Sequence, residues 1–275
     1  MDNLLIGDVR EKLKELDDSS VQCCVTSPPY WGLRNYQEKK QLGLEETPEE
    51  YVENMVKVFR EVKRVLKDDG TCWLNLGDSY YNKNLAGIPF RVAFALQQDG
   101  WYLRQDIIWN KPNPMPESVQ DRCTKSHEYI FLLTKSAKYY YDADAIREPF
   151  AESSIGRLEQ NIDNQIGTTR ANGGAKLNGN FKAVGDVDKG ANKKSVWTIT
   201  TKPFKDAHFA VFPIEIPVYC IKAGSKKGDT ILDIFMGSGT TALAAQEHGR
   251  RWVGVELNPE YVKIIKKRTQ QQVIL

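Results

Sequence analysis

Two short stretches carry residues whose types and spacing suit the binding of a planar ring and of a nucleoside. Thr26-Ser27-Pro28-Pro29-Tyr30-Trp31 closes an apolar, β-rich run that starts at Val21. Two prolines cannot extend a central strand, so a rigid turn is the plainest reading. They fix the backbone and remove two N–H donors, which leaves carbonyl acceptors facing outward. Ser27 adds a hydroxyl acceptor, and Tyr30 and Trp31 add flat aromatic surface. Such a loop suits a planar ring that bears an exocyclic amino group.

The second stretch runs from Thr230 to Thr241 and contains Asp233, Phe235, Gly237, Ser238, Gly239 and Thr240. It reads as an apolar strand, a glycine turn and a helix start, where glycine lets the backbone turn sharply and approach a ligand. Glu256 ends the next apolar run, 19 residues beyond Gly237. That is the interval at which nucleoside-binding α/β folds place the acid that grips the ribose hydroxyls. The turn is not a P-loop and lacks a full dinucleotide fingerprint, so an ordinary strand–helix turn is the competing reading. No metal-ligand cluster is visible, and no metal is expected.

Alternating elements must hold these two loops. Thr47-Pro48-Glu49-Glu50 predicts a helix start, with Tyr51, Met55, Phe59, Val62 and Leu66 on one face until Asp69-Gly70. Strands are expected at Leu4–Ile6, 21–26, 71–76, 101–109, 128–133, 230–235 and 251–256. Helices are expected at 88–98, 213–223, 240–248 and 259–268. Strands alternating with helices imply an α/β fold with a mostly parallel sheet covered on both faces. The alternation breaks between about Ile146 and Pro203, where Gly and Asn crowd an apolar-poor segment. Tyr139-Tyr140-Tyr141 reads as an edge strand rather than a platform for a base.

With 275 residues, 41% hydrophobic and 27% charged, the chain is neither disordered nor coiled coil as its main state. The five cysteines form no C-x-x-C pair and read as reduced core or near-core thiols of a cytoplasmic protein. The first residues lack the pattern of a signal peptide, and no run approaches a membrane span. The formal charge is only +2, but Gln165 to Lys205 holds eight basic and two acidic side chains. A near-neutral total therefore conceals one local basic stretch.

The two motifs, in this order, resemble those of S-adenosylmethionine-dependent DNA amino-methyltransferases. The family's catalytic motif is Asp, Asn or Ser, then Pro-Pro and an aromatic residue, matched by Ser27-Pro28-Pro29-Tyr30. Its cofactor motif is matched by Asp233 and Phe235-Met236-Gly237-Ser238-Gly239. Catalytic motif first and cofactor motif last resembles the circularly permuted β class. Ile6-Gly7-Asp8 resembles the acid that contacts adenine, and the stretch from His208 through Phe212 to Pro213 resembles the segment that closes the methionine side.

The resemblance implies a Rossmann-like methyltransferase fold with a small irregular target-recognition insert. Residues 1–145 would form the catalytic half, 146–205 the insert and 206–275 the cofactor-binding half. It implies S-adenosyl-L-methionine as cofactor and double-stranded DNA as partner, with a restriction endonuclease or a second copy of the chain as further candidate partners. Ser27, Pro28, Pro29 and Tyr30 would be catalytic; Asp8, Phe212, Asp233, Phe235, Gly237, Ser238, Gly239, Thr240 and Glu256 would hold the cofactor. Trp31, Lys111, Asn113, Arg170, Lys176 and Lys182 would touch base or phosphate. His127 beside Glu128 is expected to be structural, and His248 a solvated helix cap.

In this family Ser in the first motif position usually accompanies methylation of cytosine N4, and Asp that of adenine N6. Cytosine N4, on a base flipped out of the duplex, is thus the expected target. Adenine N6 on the same scaffold and a catalytically silent DNA-binding regulator are the alternatives.

Overall fold

The computed structural model describes residues 3–33, 38, 41–150, 190–201 and 211–270. The apolar runs become β1 (Asn3–Ile6), β2 (Val21–Thr26), β3 (Leu66–Leu76), β6 (Tyr102–Asn110), β7 (His127–Thr134), β8 (Val196–Thr198), β9 (Thr230–Asp233) and β10 (Arg251–Glu256). They form one sheet in the order β1-β10-β9-β2-β3-β7-β6-β8. A short hairpin, β4 (Tyr80–Tyr81) and β5 (Asn84–Leu85), stands apart from it. Among the described strands of the large sheet, β7 alone runs against the others.

A single helical turn, α1 (Val9–Lys12), follows β1. β2 is buried along its whole length, as a central parallel strand must be. Its successive side chains serve opposite faces. Cys24 joins the cluster under α2 (Pro48–Val65) and α3 (Ile88–Gln98), while the Cys23 thiol points to the Cys220 carbonyl of α4 (Glu215–Gly224). Helices α5 (Thr240–Glu247) and α6 (Pro259–Gln270) follow β9 and β10. No described helix is long and apolar enough to cross a membrane.

Local chemistry explains most element ends. Thr47 Oγ accepts from the Glu50 N–H at 3.2 Å with Pro48 in the first turn, which caps α2 as its sequence predicts. The helix stops at Val65 rather than at Asp69-Gly70, because Leu66 turns extended and pairs with Val21. Tyr139–Tyr141 is not a strand. Tyr140 N–H donates to the Asp69 carbonyl, and Tyr141 stacks on Trp73. The sheet edge is instead β8, whose Trp197 is buried. Cys23, Cys24, Cys72 and Cys220 are core thiols, whereas Cys123 is exposed.

Two compact units are distinguished, Met1–Asp142 with Ser195–Leu275, and Ala143–Lys194. β8 thus belongs with the sheet, although the sequence groups it with the insert. In the second unit, Glu148 bridges to Ala191 in antiparallel fashion and its carboxylate meets Lys194 at 2.9 Å.

Candidate active site

Parallel strands present their carboxyl ends along one rim of the sheet, where loops are free to build a site. The loops after β1, β2, β9 and β10 meet there, and the antiparallel β7 brings its first residues to the same rim. One cavity is lined by Asp8, by Ser27 to Tyr30, by Asn75, Lys111 and Glu128, and by the turn from Ile234 to Ser238 with Glu256. The two stretches singled out in the sequence, some 200 positions apart, therefore share a pocket.

A single carboxylate joins them from below. Asp233 is buried, with Oδ1 accepting from Thr26 Oγ at 2.8 Å and from Phe235 N–H at 3.1 Å. Its Oδ2 accepts from Thr241 Oγ at 2.6 Å. Burial pushes its pKa up to about 6, against the pull of those three donors. Asp233 is not among the cavity-lining residues, since its oxygens are spent on the backs of both loops. Gly239 likewise lies outside the lining; its φ of 82° provides the left-handed residue that starts α5.

Beside the glycine turn, Glu256 accepts from Gly237 N–H and from Asn258 N–H, both at 2.7 Å. Burial drives its pKa up to about 7, although both N–H groups oppose the rise. Phe212, Phe235, Gly237, Ser238 and Thr240 line the same cavity. A buried acid that resists its own charge, beside a glycine turn and aromatic walls, suits a ligand bringing hydroxyl donors and a positive charge. Asp8 also reaches the cavity, but its carboxylate forms an ion pair with Arg10 at 2.6 Å and caps α1.

At the other end the Ser-Pro-Pro-Tyr loop meets groups that sequence reading left unassigned. Ser27 Oγ lies 3.2 Å from Tyr30 Oη, and Tyr30 Oη donates to Glu128 Oε2 at 2.7 Å. Asn75 Nδ2 donates within 2.6 Å of Tyr30 Oη, 2.9 Å of Glu128 Oε2 and 3.3 Å of Ser27 Oγ. Lys111 holds the other Glu128 oxygen and lies 4.2 Å from the centre of the Trp109 ring. Burial raises the Glu128 pKa, but the Lys111 charge and the surrounding donors outweigh it and leave the carboxyl below its usual range. Tyr30 is pushed up by burial and then by the Glu128 charge, so its phenol stays protonated. The ring passes so close to Gly77 that a Cβ there would come within 2.6 Å of it.

The remaining expected residues fall elsewhere. Trp31 is buried, donating to the Glu45 carbonyl at 2.9 Å with its ring against Tyr81, so it is a core residue rather than a platform. Asn113 is absent from the lining and clamps Thr201, by Nδ2 to its carbonyl at 3.0 Å and by Oδ1 from its N–H at 2.9 Å. His127 meets Tyr129 edge-on, a packing role. Arg170, Lys176, Lys182 and His208 lie outside the described residues.

The comparisons with known proteins decide what the pocket belongs to. Residues 21–267 match the family described as DNA methylase, N6- and N4-directed. The chain belongs to the DNA methylase family. It is 44% identical over 97% of its length to the Type II methyltransferase M.Cfr9I of Citrobacter freundii, covering 87% of that protein. It is 42% identical to M.SmaI of Serratia marcescens, over 96% of this chain and 89% of the relative. The fold matches the solved PvuII DNA methyltransferase (cytosine-N4-specific) with a TM-score of 0.73 at 22% identity, over 98% of this chain and 86% of that one. A putative DNA modification methylase of Thermus thermophilus, solved with S-adenosyl-L-methionine, matches with a TM-score of 0.67 at 24% identity, over 99% and 95%.

The methylase is therefore a DNA methyltransferase that uses S-adenosylmethionine, on the mostly parallel Rossmann-like sheet its sequence implies. Asn75 and Glu128 are among the pocket residues that the sequence did not reveal. They lie 45 and 98 positions from Tyr30 and meet it only in the folded sheet. The sole local signal was an acid opening an apolar strand beside His127.

Proposed function

We propose that the methylase transfers a methyl group to the exocyclic N4 of cytosine in duplex DNA, with the target base flipped into the pocket. The observation that carries this reading is the shared cavity of the Ser27–Tyr30 loop and the turn before α5. S-adenosylmethionine supplies the methyl group on a sulfonium, an electrophile that needs no metal. The rest falls to the chain. Glu256 holds the ribose hydroxyls, and Phe212, Phe235 and the backbone of Gly237 and Ser238 shape the surrounding wall.

An exocyclic amine is a poor nucleophile because its lone pair is delocalised into the ring. Ser27 Oγ and the Pro28 carbonyl accept hydrogen bonds from its two N–H groups and draw the nitrogen towards tetrahedral geometry. As the N–C bond forms, the methyl–sulfur bond breaks, a neutral thioether leaves and the nitrogen sheds one proton to solvent. Asn75 Oδ1 is a further buried acceptor with no hydrogen-bond partner among the described residues. Fixing the amine against the methyl group lowers the barrier further, by up to ~7–11 kcal/mol in favourable cases. Tyr30, held at its hydroxyl end, offers its ring as a wall for the base.

Serine at position 27, in the motif place where this family's cytosine-N4 enzymes usually carry serine, supports cytosine over adenine. Residues 146–205 are proposed to read the DNA sequence, with Arg170, Lys176 and Lys182 following phosphates. Type II relatives also support pairing with a restriction endonuclease. Nucleoside mass spectrometry of DNA from an expressing strain tests the assignment. N4-methylcytosine is expected; N6-methyladenine without it would sink the cytosine reading.

A further inference from the structure

A serine hydroxyl has one hydrogen to donate and two lone pairs to accept with. Nothing in the residue itself decides which it shows to an amine. A hydroxyl that spends its hydrogen on the substrate side would meet the target N–H groups with the wrong polarity. The structure contains a device that settles this choice. Glu128 is paired with Lys111 and is therefore an ionised, acceptor-only carboxylate. The Tyr30 phenol, 2.7 Å away, must donate its single hydrogen to it. Tyr30 Oη can then only accept, so at 3.2 Å the Ser27 hydroxyl must donate to Tyr30. The Asn75 amide shares its two hydrogens among the Ser27, Tyr30 and Glu128 oxygens and agrees with that direction throughout. With its hydrogen turned away, Ser27 Oγ keeps a lone pair for the cavity.

We propose that Glu128 is a positioning residue that fixes the direction of the chain Ser27→Tyr30→Glu128, so that Ser27 Oγ faces the target amine as an acceptor. The inference deepens the reading above and rests on methyl transfer to an exocyclic amine at Ser27. Lys111 serves the same end by keeping Glu128 ionised. Tyr30, Asn75 and Lys111 already donate to its oxygens, and its effect on the amine runs through Ser27. A glutamine at 128 has the same shape but offers an NH₂, which allows the chain to run backwards.

The test is a double-mutant cycle in single-turnover kinetics. It uses tritiated S-adenosylmethionine and a duplex carrying the motif that methylome sequencing of an expressing strain identifies. Glu128→Gln and Tyr30→Phe are each expected to slow methyl transfer by about 10- to 100-fold, the range for a hydrogen bond to a charged group. The double variant is expected to be no slower than Tyr30→Phe alone, since either change severs the same chain. The dissociation constant for S-adenosylmethionine is expected to stay within about twofold of wild type, as for an interaction made only in the transition state.

Independent, multiplicative losses in the double variant would overturn the proposal. So would a Glu128→Gln enzyme that transfers at the wild-type rate, or one whose loss lies wholly in cofactor affinity. If Glu128→Gln does not fold, Tyr30→Phe carries the test, and an unchanged transfer rate there overturns the proposal. The nucleoside product of the wild-type enzyme in the same assay tests the parent reading separately.

Discussion

Glu256 sits where charge is unwelcome, yet the proposed hold on ribose hydroxyls is strongest with its ionised form. Its folded pKa is raised to about 7, so the folded protein binds a proton that the unfolded chain has already lost. The sign follows directly. This group's contribution to stability is greatest in acid and declines as pH rises from the usual glutamate range through about 7. Cofactor affinity has the opposite slope. The dissociation constant for S-adenosylmethionine should rise about tenfold per unit as pH falls below about 7. Calorimetric titration across the neutral range checks this, and a pH-independent constant would rule it out. Gly77 provides a second residue-scale prediction. Alanine there forces a methyl into the Tyr30 ring, which should cost about 1–3 kcal/mol of overpacking. Methyl transfer should fall while cofactor affinity holds. Equal transfer rates for Gly77→Ala and wild type would show that the ring's placement is immaterial.

Among the elements, β2 and β9 depend on one buried side chain. Asp233→Ala leaves two threonine hydroxyls and the Phe235 N–H without their acceptor. It should destabilise the fold by about 1–3 kcal/mol. Urea unfolding measures the loss, and it should accompany any change in cofactor affinity rather than follow it. Much at this scale is legible in the sequence. Thr47 with Pro48 announces α2, and the glycine turn announces the β9–α5 junction, because caps and turns are set by neighbours in sequence. β8 and the β4–β5 hairpin are not legible, being too short for a periodic pattern to register. Tyr139–Tyr141 departs from the strand its sequence suggests for another reason. Its β-prone residues find better partners in Asp69, Trp73 and Arg104 than in a sheet edge. Asn75 and Glu128 escape sequence reading in the same way, since their meaning arises only from pairing across β3 and β7.

For the whole molecule, a formal charge of +2 implies that attraction to DNA must be local. If the stretch from Gln165 to Lys205 follows phosphates, Lys176→Ala and Lys182→Ala should each weaken binding evenly across sequences. Each should also lower the slope of log affinity against log salt by about one. Fluorescence anisotropy at several salt concentrations reads both quantities, and an unchanged slope would remove these lysines from the interface. Sheet order has a bearing on how the molecule is made. β1, at the start of the chain, pairs with β10, and β2 finds one of its neighbours in β9. On the ribosome the first two strands must therefore wait, exposed along one edge, until nearly the last residue of the sheet has emerged. Contacts of such long sequence separation slow folding and prolong aggregation-prone intermediates. The same wait has a useful side: the nascent polypeptide has no enzyme to offer, and competence arrives in one step once β10 has emerged.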